Sequence, residues 1–288
     1  MVGSAIKRNL IRQGFPNIYG YSSKELDLRD QAAVNALFKG TRYDYVFFAA
    51  AKVGGILANS TYKADFLYDN LMMQSNVMHA AMRYGINKLL FLGSSCIYPK
   101  YSPQPITEDC LLSGSLEPTN DAYAIAKIAG IKMCDAYREQ HGCNFISAMP
   151  CNLYGPGDNY HLQNSHVIPA LIKKFTSGDY TIWGTGKPLR EFMHVDDLAE
   201  ACVYLMQEYN KPGHINVGTG EEISIRNLAQ MILDILGIKE LIAYDPSKPD
   251  GTMRKVMDNS RILALGWKPK YNLREGLKSV IEQYINNI

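Results

Sequence analysis

The 288-residue chain contains no apolar run close to the roughly 18 residues that a membrane-spanning helix needs. Its first residues lack the charged-then-apolar layout of a secretion signal, so a cytoplasmic location is expected. Net charge is nearly absent: 30 Lys and Arg against 28 Asp and Glu leave +2, with both signs interspersed. No basic stripe exists for nucleic acid or an anionic membrane surface, which turns the search toward a small ligand. The six cysteines, Cys96, Cys110, Cys134, Cys143, Cys151 and Cys202, include no C-x-x-C pair. That spacing argues against a bound metal and against a disulfide framework, and free thiols are expected. Internal repeats, low-complexity tracts and long linkers are missing too. One further gap stands at the start, where "MVGSAIKRNLIRQG" reads as the end of a glycine-rich turn running into an amphipathic helix, with no strand leading into it.

What is present suits a sizeable core, since 47% of residues are hydrophobic and 20% charged. The first half alternates β-rich and helical stretches: "NIYGYSS" at 17–23, the unbroken "YVFFAA" at 45–50, a helix from about 59 to 84, "KLLFLGSSCIYP" at 88–99, a helix over 121–142, and "NFISAMPCNLYGPG" at 144–157. This is an α/β pattern of a doubly wound parallel sheet. Beyond Gly157 shorter strands ("YTIWG", "EFMHV", "HINVG", "LIAYD") alternate with helices and turns, predicting a smaller C-terminal α/β lobe. The expected division is a dinucleotide-binding domain over 1–157 and a substrate lobe over 158–288, with about 194–218 returning to the first domain. A cleft between two lobes is where a small ligand binds.

The sharpest chemical signal is "YAIAK". Tyr123 and Lys127, four apart, share one helix face, where the ammonium can lower the phenol's pKa and make it a proton donor. Some thirty residues upstream, "GSSCIY" ends a buried strand with Ser94, Ser95 and Cys96, and a serine there can hydrogen-bond the same substrate oxygen. Taken singly, Y-x-x-x-K is a surface pair, Cys96 a small buried hydrophobe and His166 a structural histidine.

These residues resemble the extended short-chain dehydrogenase/reductase superfamily. "LGSSCIYPK", "LEPTNDAYAIAKIAGIKMCDAY", "NLYGPGDNYH", "NSHVIPALI", "REFMHVDDLA", "INVGTG" and "KPDGTMRK" are together similar to the GDP-L-fucose synthase family within it. The resemblance implies a Rossmann fold, here without its first strand. It also implies NADPH-dependent 3,5-epimerisation and 4-reduction of GDP-4-keto-6-deoxy-D-mannose. Cys96 and His166 would be base and acid, and Ser94, Tyr123 and Lys127 would serve the C4 oxygen. For NADP the family implies Gly3, Ser23, Asp27, Leu28, Ala50, Ala51, Leu92, Gly93, Ser94, Ser95, Tyr123, Lys127, Pro150, Cys151, Asn152, Leu153 and His166. For the GDP-sugar it implies Lys174, Trp183, Arg190 and Asp250, and for assembly a homodimer through helices near 60–84 and 121–141.

Two departures qualify these implications. Where the family offers an arginine for the 2′-phosphate this chain reads "YSSKEL", leaving Ser22, Ser23 and Lys24 for that role and NADH as an alternative. Met1-Val2-Gly3 matches only the last three positions of G-x-x-G-x-x-G. In the strand order 3-2-1-4-5-6 the absent strand is central, so a gap between the second and fourth strands is expected. The expected explanation is a sequence that begins about a dozen residues late and, as given, binds NADPH at least about tenfold more weakly than an extended form. Two alternatives are another nucleotide-sugar epimerase/reductase and a non-catalytic remnant that has lost its cofactor; a dehydratase would show an acidic pair that "SSCIY" lacks.

Overall fold

The computed structural model describes residues 1–161 and 165–287. The chain runs α1 (Val2–Arg12), α2 (Gln31–Gly40), β1 (Tyr45–Phe48), α3 (Ile56–Thr61), α4 (Lys63–Arg83), β2 (Lys88–Leu92), α5 (Asp121–His141), β3 (Phe145–Pro150), β4 (Asn152–Tyr154), α6 (Val167–Thr176), β5 (Thr181–Trp183) and β6 (Leu189–His194). It continues with α7 (Val195–Glu208), β7 (His214–Val217), β8 (Glu222–Ser224), α8 (Ile225–Leu236), β9 (Ala243–Asp245), β10 (Arg254–Lys255), α9 (Ser260–Ala264) and α10 (Leu273–Asn286).

The main sheet is parallel, in the order β1-β2-β3-β7. Every residue of β2, β3 and β7 is buried, as a strand covered on both faces requires. Helix α5 packs on α4 and touches β2 and β3, while α7 packs on α1 and β2. Lys88 ties β2 to the end of α7: its buried Nζ donates to the Leu205 and Met206 carbonyls at 2.9 and 2.7 Å. Burial pushes that ammonium down to about 8. A second hydrophobic core, with Tyr154, Ile172, Phe175, Leu228, Ile232 and Leu277, lies under α6, α8 and α10. Above it stand a sheet ordered β10-β6-β4, with β8 antiparallel on β6, and the β5–β9 pair.

Several expectations are corrected. Residues 17–23 form no strand; Tyr19 and Tyr21 instead pack on and hydrogen-bond Tyr43. Among the described residues no gap opens in the sheet, because β1 pairs there only with β2 and sits at the edge, where Tyr45 is 56% exposed. The helix expected from 59 to 84 is two helices parted at Tyr62 (φ −109°, ψ 43°). Ser60 and Thr61 cause the break by hydrogen-bonding back to the Leu57 carbonyl. The strand expected over 144–157 divides at Cys151, so β3 stays in the main sheet and β4 joins the other. This division opens the crevice beyond the carboxyl ends of the parallel strands, the place where ligands bind in such sheets.

Candidate active site

Strand β2 delivers the first site residues. Gly93 follows it, and a Cβ there would lie 2.2 Å from Met149 Sδ, so a side chain at this strand end would force Met149 to move. Ser94 then caps a single 3₁₀ turn over Ser95–Ile97, its Oγ accepting from the Cys96 N–H at 3.3 Å. Tyr98 anchors the turn from behind. Its hydroxyl donates to Asn216 Oδ1 of β7, so the 3.0 Å contact with His214 makes the imidazole Nε2 the donor to Tyr98. Asn216 in turn donates to the Ile106 and Asp258 carbonyls and, through its N–H, to buried Glu108.

Burial, with Arg261 nearby, pushes His214 down to about 4. The unfolded chain therefore binds the extra proton between about pH 6.5 and 4. Stability is full above 6.5 and falls as pH drops through that window, by about 3 kcal/mol for this one group. Urea midpoints measured from pH 7 to 4 should show that loss, and His214→Gln, which keeps a donor, should flatten the profile.

Helix α5 supplies the second set. Asn120 occupies its N-cap position, yet its side chain caps nothing; Nδ2 reaches Cys96 Sγ at 3.3 Å instead. One turn on, Tyr123 is 8% exposed and packs edge-on to Phe66, ring centroids 6.4 Å apart. Burial raises its phenol's pKa, the Cys96 charge adds to the rise, and the Ser94 side chain opposes it. Lys127, 2% exposed, donates to the Leu92 carbonyl at 2.8 Å and lies over Phe91, 4.7 Å from the ring centroid. Burial pushes this ammonium down to about 7. The expectation that Lys127 lowers the Tyr123 phenol is thus corrected: desolvation sets the direction for the phenol, and it pushes the Lys127 ammonium down as well.

Cys96 packs with Ala58, Phe66 and Tyr123. Arg190 on β6 feels its charge, and Lys255 Nζ on β10 lies 3.7 Å from its Sγ. Ser94, Cys96, Tyr123, Lys127 and Arg190 are therefore brought together. His166 stands apart at the N-cap of α6, exposed, beside Asp158. The preceding Ser165 carbonyl sits against Gly55, where a Cβ would be 2.7 Å away, and Gly54 faces Phe66. The segment carrying His166 thus borders the Phe66–Tyr123 cluster, but no hydrogen bond joins its imidazole to Cys96 or Tyr123 among the described residues.

The remaining predicted residues divide. Ala50 and Ala51 follow β1, Leu92 to Ser95 end β2, and Pro150 to Leu153 cross from β3 to β4, so all face the crevice end of the sheet. Gly3 opens α1 beside Ala49, and Gly157 lies against Met1. Leu28 packs on the main core. Ser23 is exposed, and so is Asp27, which is held near 2 by Arg29. Arg29 also pairs with Asp69, which pairs with Lys52. Of the GDP-sugar set, Arg190 is half-buried with Nη1 on the Leu189 carbonyl, and Trp183 is 43% exposed with Lys248 Nζ 5.7 Å from its ring. Lys174 is tied to Asp179 and the Thr181 carbonyl. Asp250 latches the Thr185 turn through the Thr185 N–H and hydroxyl at 2.7 and 2.9 Å.

Sequence reasoning missed Asn120, Lys248 and Lys255. Asn120 had a signal, as a capping residue one turn ahead of Tyr123. Lys255 ends the quoted "KPDGTMRK", but its approach to Cys96 arises from strand pairing far along the chain.

A family model described as NAD dependent epimerase/dehydratase family matches residues 1–218. GDP-L-fucose synthase 1 of Arabidopsis thaliana is 54% identical over 294 residues, covering 100% of this chain and 91% of that protein. GDP-L-fucose synthase of Escherichia coli is 50% identical over 302 residues, covering 100% and 94%. Among solved structures, a GDP-L-fucose synthetase from Naegleria fowleri bound to NADP superposes with TM-score 0.91 at 30% identity, covering 99% of this chain and 91% of that one. A GDP-mannoheptose C4 reductase from Campylobacter jejuni with NADP bound gives TM-score 0.91 at 39% identity, covering 99% and 95%.

Proposed function

The chain belongs to the NAD dependent epimerase/dehydratase family and, within it, to the GDP-L-fucose synthases, and from that premise we propose that it converts GDP-4-keto-6-deoxy-D-mannose to GDP-L-fucose by two inversions and one reduction at a single site. The observation that carries this reading is the convergence of Cys96, Ser94 and Tyr123 on one end of the main sheet. A ketone at C4 acidifies the protons on C3 and C5, so each inversion takes one group to remove a proton and a second to return one from the other face. Cys96 removes the proton and His166 supplies a different one from the other face. Ser94 and Tyr123 hold the oxygen on which the enolate charge develops, and Tyr123 protonates that oxygen during reduction.

The residues fit a dinucleotide. The first N–H groups of α1 have no partner within the helix, and the helix starts beside Ala49 and Gly157 at the crevice, a placement that favours a diphosphate. NADPH, when bound, supplies the hydride for C4. Gly93, Ser94, Tyr123 and Lys127 hold its nicotinamide end and Asp27 with Leu28 its adenine end. At the 2′-phosphate we assign Ser23 and Lys24, since the Ser22 hydroxyl donates to Glu25 and Arg29 is occupied by two carboxylates.

The GDP-sugar falls to Arg190 and Trp183, with Lys174 and Asp250 shaping its pocket, so that 1–157 with 194–218 handles the cofactor and the remainder the sugar nucleotide. A homodimer through α4 and α5 accounts for exposed Tyr68 and Ile125 on those helices and exposed Tyr62 just before α4. No described helix is long and apolar enough to cross a membrane, and we place the protein in the cytoplasm.

The test is incubation with GDP-4-keto-6-deoxy-D-mannose and NADPH, following absorbance of the cofactor and isolating the product. Equimolar NADPH consumption and GDP-L-fucose are expected. A GDP-6-deoxyhexose unaltered at C3 and C5 would mean a reductase alone, and no consumption would refute the reading.

A further inference from the structure

We propose that Lys255 holds Cys96 in its thiolate form, so that the base is restored after each of the two inversions. The inference rests on the reading of Cys96 as the base. In the first inversion a C–H bond breaks, its electron pair enters the enolate and its proton goes to sulfur. On the other face an imidazolium N–H breaks and its proton goes to carbon. What remains is a neutral thiol and a neutral imidazole. The second inversion cannot begin until water has taken the proton from sulfur and the imidazole has regained one, which leaves the overall proton count unchanged.

The surroundings of Cys96 favour that reset. Lys255 Nζ is 3.7 Å and Asn120 Nδ2 3.3 Å from Sγ, and both can only donate from those atoms. Asn120 Oδ1 is buried without a partner, a cost incurred in turning the amide's N–H side to the sulfur. Arg190 is the register neighbour of Lys255 across β6 and β10, and neither makes an ion pair with a carboxylate among the described residues. Arg190 lies near enough to feel the Cys96 charge as well as that of Asp250, so a thiolate at Cys96 faces two cations. Of the other charged or titratable groups facing Cys96, the Tyr123 phenol is kept neutral by burial, and Glu117 is paired with Lys100 at 3.1 Å. A narrow cleft lined by Cys96, Lys100, Glu117, Asn120, Arg254 and Lys255 lies beside the sulfur.

The experiment is alkylation of the full chain by iodoacetamide at pH 7, read by peptide mass spectrometry with half-buried Cys110 as internal reference. Lys255→Met should slow modification of Cys96 about tenfold or more, leave Cys110 unchanged, and be rescued to within about threefold by Lys255→Arg. Lys255→Gln gives a second neutral variant if the first does not fold. Unchanged alkylation of Cys96 in a folded neutral variant overturns the proposal. Deuterium wash-in from solvent separates it from the reading beneath it: slowed alkylation with slower entry of the second deuteron supports the full proposal. Slowed alkylation with undiminished wash-in overturns the reset, and with it the use of Cys96 as base.

Discussion

Tyr123→Phe should lower kcat for NADPH-dependent reduction by about 10²–10⁴-fold, the range for loss of a positioned general acid. The ring keeps its edge-on contact with Phe66 and its place in the core, so the fold stands and only the proton donor is removed. Burial raises the phenol's pKa, which keeps it protonated until the developing C4 alkoxide demands the proton. NADPH affinity, titrated by nicotinamide fluorescence, should fall far less than kcat, because the ring and the other nicotinamide contacts remain and the lost hydroxyl acts chiefly in the transition state. A kcat within a few-fold of the parent's would remove Tyr123 from the reduction.

Cys96→Ser should slow solvent-deuterium entry at C3 and C5 by about 10²–10⁴-fold while affinity for GDP stays nearly constant. A hydroxyl fits the space beside Asn120 and Lys255, but an alcohol is a far weaker acid than a thiol and makes a poor base here. Reduction at C4 uses Tyr123 and survives, so the variant should release a product reduced at C4 with C3 and C5 unaltered. Unchanged exchange rates would show that the thiol takes no part.

The two variants probe what was most legible in the sequence. Tyr123, Lys127 and Ser94 could be found because local rules place them: helix spacing sets the first two on one face, and a strand end presents the third. The buried runs at 88–92 and 145–150 were equally plain, since a strand covered on both faces is apolar throughout. Residues 17–23 misled because strand-like composition does not make a strand; a ladder needs a partner, and Tyr19 and Tyr21 found Tyr43 instead. The break at Tyr62 came from two hydroxyls competing for a helix carbonyl, a choice that periodicity does not reveal. Lys127's effect on Tyr123 was misjudged because spacing reports proximity and not desolvation, which here sets the sign. Lys255 reaches Cys96 across 159 positions of chain, through strand pairing that sequence spacing cannot supply.

The account's central claim is that a single site inverts two carbons and reduces the ketone between them. It is tested most directly by running the reaction in deuterated water with unlabelled NADPH and reading the product by mass spectrometry and proton NMR. The account predicts two carbon-bound deuterons, one on C3 and one on C5, with ordinary hydrogen on C4. A reduced product carrying no deuterium at either carbon would contradict it.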